Sequence, residues 1–194
     1  MEADCDTISA IHVHSWQWAY RGLIPDLALD TLRVTERVPI WRAALAPGSS
    51  HRIWLAERDA HGLGFAAWGP ARDRDVGPGT AELYAIYLEL EAAGSGVATT
   101  LLKAASSEMG DQGHSRAILW VLSANPRARR FYERNGWNSD GSRKIVNLRG
   151  TELEAVRYAT VPSRGTDTAG VRTPETSSRA RSGPGSAAPR PRAN

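Results

Sequence analysis

The sequence predicts a mixed α/β domain built around one central sheet, with a tail behind it. Three features predict this. Two strongly β-prone apolar runs, 82–88 and 116–122, are each followed by a helical pattern. Two helical stretches and a hairpin precede them and two strand-like runs follow, an order that suits a single sheet covered by helices. After Thr160 the composition shifts to Pro, Ser, Gly, Arg and Thr, with no Phe, Trp or Tyr. Such a segment buries too little apolar surface to offset its ordering entropy. Residues 1–160 are therefore expected to form the domain, and 161–194 a disordered, dispensable tail.

Local signals place the elements in order. A helix is expected from about Asp6 to Tyr20, with Ile8, Ile11 and Trp18 near one face, until Gly22 and Pro25 break it. A second helical region covers about Leu27 to Leu45, interrupted near Arg33–Val34. Pro39 fits only near the start of its second part, and Pro47-Gly48 ends it. Arg52–Arg58 and Leu63–Trp68 form a hairpin around Asp59-Ala60-His61-Gly62. Residues 69–80 read as a loop and Glu82–Leu88 as a strand. From Gly96 to Met109 the residues Val97, Leu101, Leu102, Ala105 and Met109 keep helical spacing. Arg116–Leu122 is a buried strand. Asn125 caps, and Pro126 opens, a short helix that stops at Asn135-Gly136. Trp137, a turn at Asp140-Gly141 and strands near Lys144–Leu148 and Glu154–Tyr158 complete the domain.

Composition excludes several function classes. The tail carries six Arg against two acids, a formal +4, so residues 1–160 hold −1 of the chain's +3. A near-neutral domain lacks the electrostatic footprint of a nucleic-acid binder, and no nucleic-acid partner is expected. No apolar run approaches the ~20 residues of a membrane span, and the acidic start, Met1 to Asp6, does not resemble a signal peptide. The single Cys5 cannot form an internal disulfide, which fits a reducing, cytoplasmic setting. No Cys/His cluster has ligand spacing, so no metal is expected. Seven Trp against two Phe is an unusual aromatic choice. Core packing is the default for any one Trp, and pocket lining is the alternative.

The chemistry concentrates in the loop that holds Gly94 and Gly96, between a strand and a helix. A helix N-terminus presents unpaired N–H groups and the positive end of its dipole, and glycines let an anion approach the backbone. Together these make a phosphate or pyrophosphate cradle. Alone, the same loop is also compatible with a tight turn that binds nothing. It lacks the Gly-Lys-Ser/Thr ending of a nucleotide P-loop, and it lies too late in the chain for an opening dinucleotide fold.

Ala93-Gly94-Ser95-Gly96-Val97-Ala98 resembles the Arg/Gln-x-x-Gly-x-Gly/Ala signature of the GNAT N-acetyltransferase superfamily. The stretch from Asn125 to Trp137, with Ala128, Phe131, Tyr132 and Gly136 in place, resembles that family's Asn-x-x-Ala-x-x-Phe-Tyr-x-x-x-Gly-Phe segment. The two stand in the family's order and at its spacing. Trp16 to Asp26 resembles the substrate-side helix and loop of many members, and the likeness covers about residues 3–158. It implies the GNAT acyl-CoA N-acyltransferase fold, an α/β fold with a central, mostly antiparallel sheet flanked by helices, and acetyl-CoA as co-substrate, and a homodimer is compatible with it. Two departures stand out. The family's Arg or Gln is Ala93 here, which leaves the pyrophosphate to backbone N–H groups. The family's opening strand, which ends just before an Ala-Asp like Ala3-Asp4, is largely missing, so the sheet is expected to lack an edge strand unless the start lies further upstream.

The implied reaction is direct attack of a small-molecule or peptide amine on a thioester. It needs deprotonation of an ammonium, a stabilised oxyanion and a proton for the leaving thiolate. The resemblance places Ile86, Tyr87 and Leu88 along pantetheine, with the Leu88 N–H near the acetyl carbonyl. It assigns Gly94, Ser95, Gly96, Val97, Ala98 and Thr99 to the pyrophosphate, and Asn125, with Ala128 beside it, to the pantetheine arm. Tyr132 is the candidate general acid and Glu82 the candidate base, acting through water. The plainer readings are a helix cap for Asn125, a core tyrosine for Tyr132 and a solvated strand-end acid for Glu82. His12 and His14 on the first helix read as surface or core. Cys5 has no evident base beside it, so an acyl-cysteine is not expected. The rival function class is a module that binds acyl-CoA without turnover, or an adaptor that uses its Arg-rich tail.

Overall fold

The structure is a computed structural model that describes residues 2–165 and 169–174. The chain enters through helix α1 (Glu2–Ala19), longer than the sequence predicts. The second helical region is three pieces: α2 (Asp26–Asp30), a 3₁₀ turn (Val34–Glu36) and α3 (Val38–Ala44). Pro39 sits in the first turn of α3, where its missing N–H costs nothing. Strands β1 (Arg52–Arg58) and β2 (His61–Pro70) pair across Asp59-Ala60. Both turn residues have positive φ, which matches the twist of the flanking strands. Then come β3 (Thr80–Leu88), α4 (Val97–Asp111), β4 (Arg116–Leu122) and α5 (Pro126–Arg134). Strands β5 (Asn138–Leu148) and β6 (Thr151–Thr160) close the domain.

The seven-stranded sheet runs β5-β6-β4-β3-β2-β1-β7, where β7 is Val171–Arg172. Every neighbouring pair is antiparallel except β3 and β4. This is the mixed, mostly antiparallel sheet that the family resemblance implies. One face packs on α4 through Trp68, Leu101, Met109, Leu119 and Trp137. The other packs on α1 and α3 through Ile8, Ile11, Trp41, Leu55 and Phe65. A smaller cluster of Val13, Ile24, Leu29 and Leu32 lies against Leu148 and Leu153 of the β5–β6 hairpin. Two indoles on this face share one acceptor: half-buried Trp54 and buried Trp68 both donate Nε1–H to Glu108 Oε2, at 2.8 and 3.1 Å. No helix among the described residues is long and apolar enough to cross a membrane.

Two expectations change. Asp140-Gly141 is not a turn between Trp137 and a later strand. It lies inside β5, where the register with β6 shifts between Ser139 and Arg143. The polar run pairs because Asp140 and Ser142 bind Arg157 of β6, at 2.8 and 2.7 Å.

The tail is the second correction, because part of it is structured. Val171 and Arg172 extend the sheet beyond β1, pairing with Ala56 and Leu55. The free edge of β1 supplies what their composition lacks, a preformed ladder. Arg172 reaches Asp4 at 2.6 Å and Glu57 at 2.5 Å. The Ser163 carbonyl lies so close over Gly110 of α4 that a Cβ there would come within 2.0 Å of it. The rest of the expected tail, 166–168 and 175–194, lies outside the described residues. Truncation after Thr160 is therefore expected to lower stability, not to leave it unchanged. Two ion pairs and a short ladder together contribute about 1–3 kcal/mol, or about 3–10 °C in melting temperature for a domain this size. Calorimetry of the truncated chain checks this, and an unchanged transition would show that these contacts contribute nothing.

Candidate active site

The site begins with a defect in the sheet. Residues β3 and β4 share pair only from Thr80↔Arg116 to Leu83↔Leu119. Beyond that point the two strands part. The register of β3 against β2 slips at the same place: Ala85 faces Ala67 and Leu83 faces Trp68, which leaves Tyr84 as the extra residue of a bulge. A bulge bends its strand and re-aims side chains. Here it lets Ile86 and Leu88 join Ala81 and Leu83 on the α4 side, while Ala85 and Tyr87 turn to the α1 side. A cleft of about 760 Å³ opens between the parted strands.

Helix α4 starts at one end of this cleft. Its N-cap is Gly96, at φ +92°, with no side-chain cap and no acid in the first turn. The Thr100 N–H donates to Gly96 O at 3.1 Å and the Val97 N–H makes a long 3.5 Å contact to Ser95 Oγ, so the N–H groups of Ala98 and Thr99 are the ones left for other acceptors. A Cβ built at Gly94 or Gly96 would meet nothing within 4 Å, so the backbone there is open to an approaching group. Gly94, Gly96, Ala98 and Thr99 line the cleft, as does Ala93. Ser95 and Val97 do not: the Ser95 hydroxyl donates to Ala92 O at 2.7 Å, and Val97 packs on the core.

Helix α5 forms another wall. Asn125 caps it, its Oδ1 accepting from the Ala128 N–H at 3.0 Å, with Pro126 in the first turn. The cap uses the oxygen and leaves the Nδ2 donors to the cleft that Asn125 lines. Ala128, Phe131 and Tyr132 follow at helical spacing. Burial, reinforced by Tyr87, pushes the Tyr132 phenol well above its usual range, so it is protonated at neutral pH. Its ring packs near Phe131 and Trp137, with centroids at 5.1 and 6.3 Å.

The end of α1 closes the opposite side. Trp16, Trp18 and Tyr20 line the cleft, and Trp18 Nε1 donates to Leu88 O at 3.1 Å. The Arg127 guanidinium lies 4.3 Å above the Trp18 ring. Tyr84 and Trp120 add further aromatic surface. Three of the seven Trp thus line a pocket, while Trp41, Trp68 and Trp137 are core.

The structure brings Ile86, Tyr87, Leu88, Asn125, Ala128 and Tyr132 to one cleft with the glycine loop. It does not bring Glu82 there. The Glu82 carboxylate is 2% exposed and bound by Arg72, through the backbone N–H (2.9 Å), Nε (3.1 Å) and the guanidinium terminus. It lies on the far side of the Tyr84 bulge, a feature with no local sequence signal. Its expected role as base is therefore replaced by that of an anchor for Arg72. His14 pairs with Glu89 at 2.9 Å. His12 accepts from Trp41 Nε1 at 3.1 Å, and burial, with Arg37 adding to it, pushes its imidazole down to about 4. No group of three or more metal-ligating side chains forms among the described residues.

Comparison with known proteins agrees with this geometry. The profile of the acetyltransferase (GNAT) family matches residues 11–137, and the chain belongs to that family. The uncharacterized N-acetyltransferase YuaI of Bacillus subtilis is 32% identical over 124 residues, 63% of this chain and 69% of that protein. Among solved structures, the ribosomal-protein-alanine N-acetyltransferase of Brucella melitensis is similar in fold, with TM-score 0.65 and 21% identity over 83% of this chain and 96% of that one. YncA of Salmonella typhimurium, solved with its cofactor acetyl-CoA, gives TM-score 0.62 and 20% identity over 86% and 93%.

Proposed function

We propose that this chain transfers the acetyl group of acetyl-CoA to a primary amine of a small molecule or peptide, by direct attack. The observation that carries this is the parted sheet, which opens onto a glycine-started helix with free N–H groups inside a family domain of acetyltransferases. The N–H groups of residues 94–99 take the pyrophosphate, with Arg134 at the same cleft supplying a cation that Ala93 lacks. Pantetheine lies along Ile86–Leu88, its amides meeting Asn125 Nδ2 and the β3 backbone. Tyr132 gives its proton to the departing thiolate.

No Asp, Glu or His lines the cleft among the described residues. The amine therefore arrives as its free base, having lost its proton to water, and turnover rises with pH until the amine itself has titrated. Every lining residue falls between Ser15 and Ala155, so residues 1–160 carry the site. The lone, buried Cys5 suits a reducing cytoplasm.

The test is thiol release from acetyl-CoA across an amine panel, beside calorimetric titration of CoA. Amine-dependent release supports transfer. CoA binding without release from any amine favours the alternative, a module that holds acyl-CoA and does not turn it over.

A further inference from the structure

The cleft divides into two halves of different chemistry. The half against α4 and α5 carries the glycine loop, Asn125 and the Arg134 guanidinium, the groups given above to the cofactor. The other half lies between the end of α1 and the sheet. Trp16, Tyr20, Trp120, Leu122, Val146 and Leu148 line it. Leu122 pairs with Ala155 and Val146 with Leu153, two residues along β6, which puts these side chains on one face of β4, β6 and β5. Leu148 and Leu153 pack against Ile24 and Leu29, so this is the face that α1 and α2 cover.

No lining residue of this half carries a full charge. Asp73, Lys144 and Arg157 stand around Trp120 but do not line the cleft, and they are engaged with one another. Asp73 accepts from Lys144 at 3.4 Å and from Arg157 at 3.0 Å, and Lys144 Nζ lies 3.9 Å from the centre of the Trp120 ring. The charges that do line the cleft, Arg127 and Arg134, are both cations on α5. The polar edges of the rings are engaged as well. Trp120 Nε1 donates to Asp73 Oδ2 at 2.8 Å, and the Tyr84 hydroxyl to Pro70 O at 2.6 Å. Trp120 therefore offers the cleft ring surface and no free donor.

A second charge on the acceptor would lose its hydration in this half and find no counter-ion. A hydrocarbon body loses nothing there, and each methylene it buries contributes about fourfold in affinity. We propose that the acceptor is a monoamine on an uncharged apolar body, and that the α1 half of the cleft holds that body while the amine faces the thioester. Diamines, polyamines and free amino acids are then poor acceptors. This rests on the acetyl-transfer reading, so its test reads binding and not turnover.

The experiment titrates the full chain, with and without CoA, with three acetamides of one chain length: N-hexylacetamide, N-acetylcadaverine and N-acetyl-ε-aminocaproate. They end in a methyl, an ammonium and a carboxylate. N-hexylacetamide is expected to bind about tenfold or more tighter than either charged ligand. Val146→Glu, on the edge strand β5, puts a carboxylate into this half and should raise the affinity of N-acetylcadaverine relative to N-hexylacetamide by about tenfold. A melting curve shows whether that variant folds, and the parent chain decides by itself if it does not. Equal or tighter binding of either charged ligand to the parent, no binding of N-hexylacetamide, or a folded Val146→Glu with the parent's preference would overturn the proposal. Failure of CoA itself to bind would sink the acetyl-transfer reading, while the preference measured without CoA still decides this one.

Discussion

Tyr132→Phe is expected to lower turnover by about 10²–10⁴-fold, the usual range for removing a general acid. The variant takes away one oxygen and keeps the ring that packs near Phe131 and Trp137. No described residue hydrogen-bonds the hydroxyl, so stability should change by no more than ~1 kcal/mol. The hydroxyl is held protonated by burial, and a proton donor to a thiolate needs that form. Acetyl-CoA affinity should change far less than turnover, because the proton is needed only as the carbon–sulfur bond breaks. Steady-state rates beside a binding titration separate these effects. Turnover equal to the parent would make Tyr132 a packing residue, with water protonating the thiolate. A parallel collapse of affinity would make the hydroxyl a binding contact.

Legibility in the sequence followed the range of the determinants. Strand β4 matches its predicted bounds because an unbroken apolar run between polar ends has no alternative partner pattern. The start of α5 was readable because Asn125 and Pro126 are local cap chemistry, and the structure shows that cap bond at 3.0 Å. The glycine loop was readable for the same reason. What was not readable depends on distant partners. Residues 138–143 look like a turn until Arg157, across the hairpin, gathers Asp140 and Ser142. Val171–Arg172 is a strand only because β1 has a free edge. The bulge at Tyr84 leaves no signature in an otherwise regular β-prone run, yet it keeps Glu82 from the cleft and turns Tyr87 toward α1.

The largest effect on the donor side is expected from Gly96→Asp. Gly96 is the N-cap of α4 at φ +92°, with open space where a Cβ would stand. Aspartate tolerates that left-handed conformation better than most residues, and its carboxylate is a good acceptor for the free N–H groups of the first turn. The variant would therefore cap the helix with the very charge that a pyrophosphate brings. Losing charge-assisted backbone bonds and the favourable helix dipole, and gaining repulsion, costs about 2–4 kcal/mol of binding, or about 30- to 1,000-fold in CoA affinity. Fold stability should fall by less than in Gly96→Ala, since a new cap bond offsets part of the same left-handed backbone strain. Gly96→Ala is the control. It imposes the backbone strain of a left-handed non-glycine residue, about 1–2 kcal/mol of stability, but adds no charge, so its affinity should fall by less than about tenfold. Calorimetric titration of CoA into both variants reads the difference. If Gly96→Asp binds CoA as the parent does, the pyrophosphate does not sit on the start of α4. If Gly96→Ala loses as much affinity as Gly96→Asp, the glycine is needed for the shape of the loop, and charge at the helix start is not what grips the ligand.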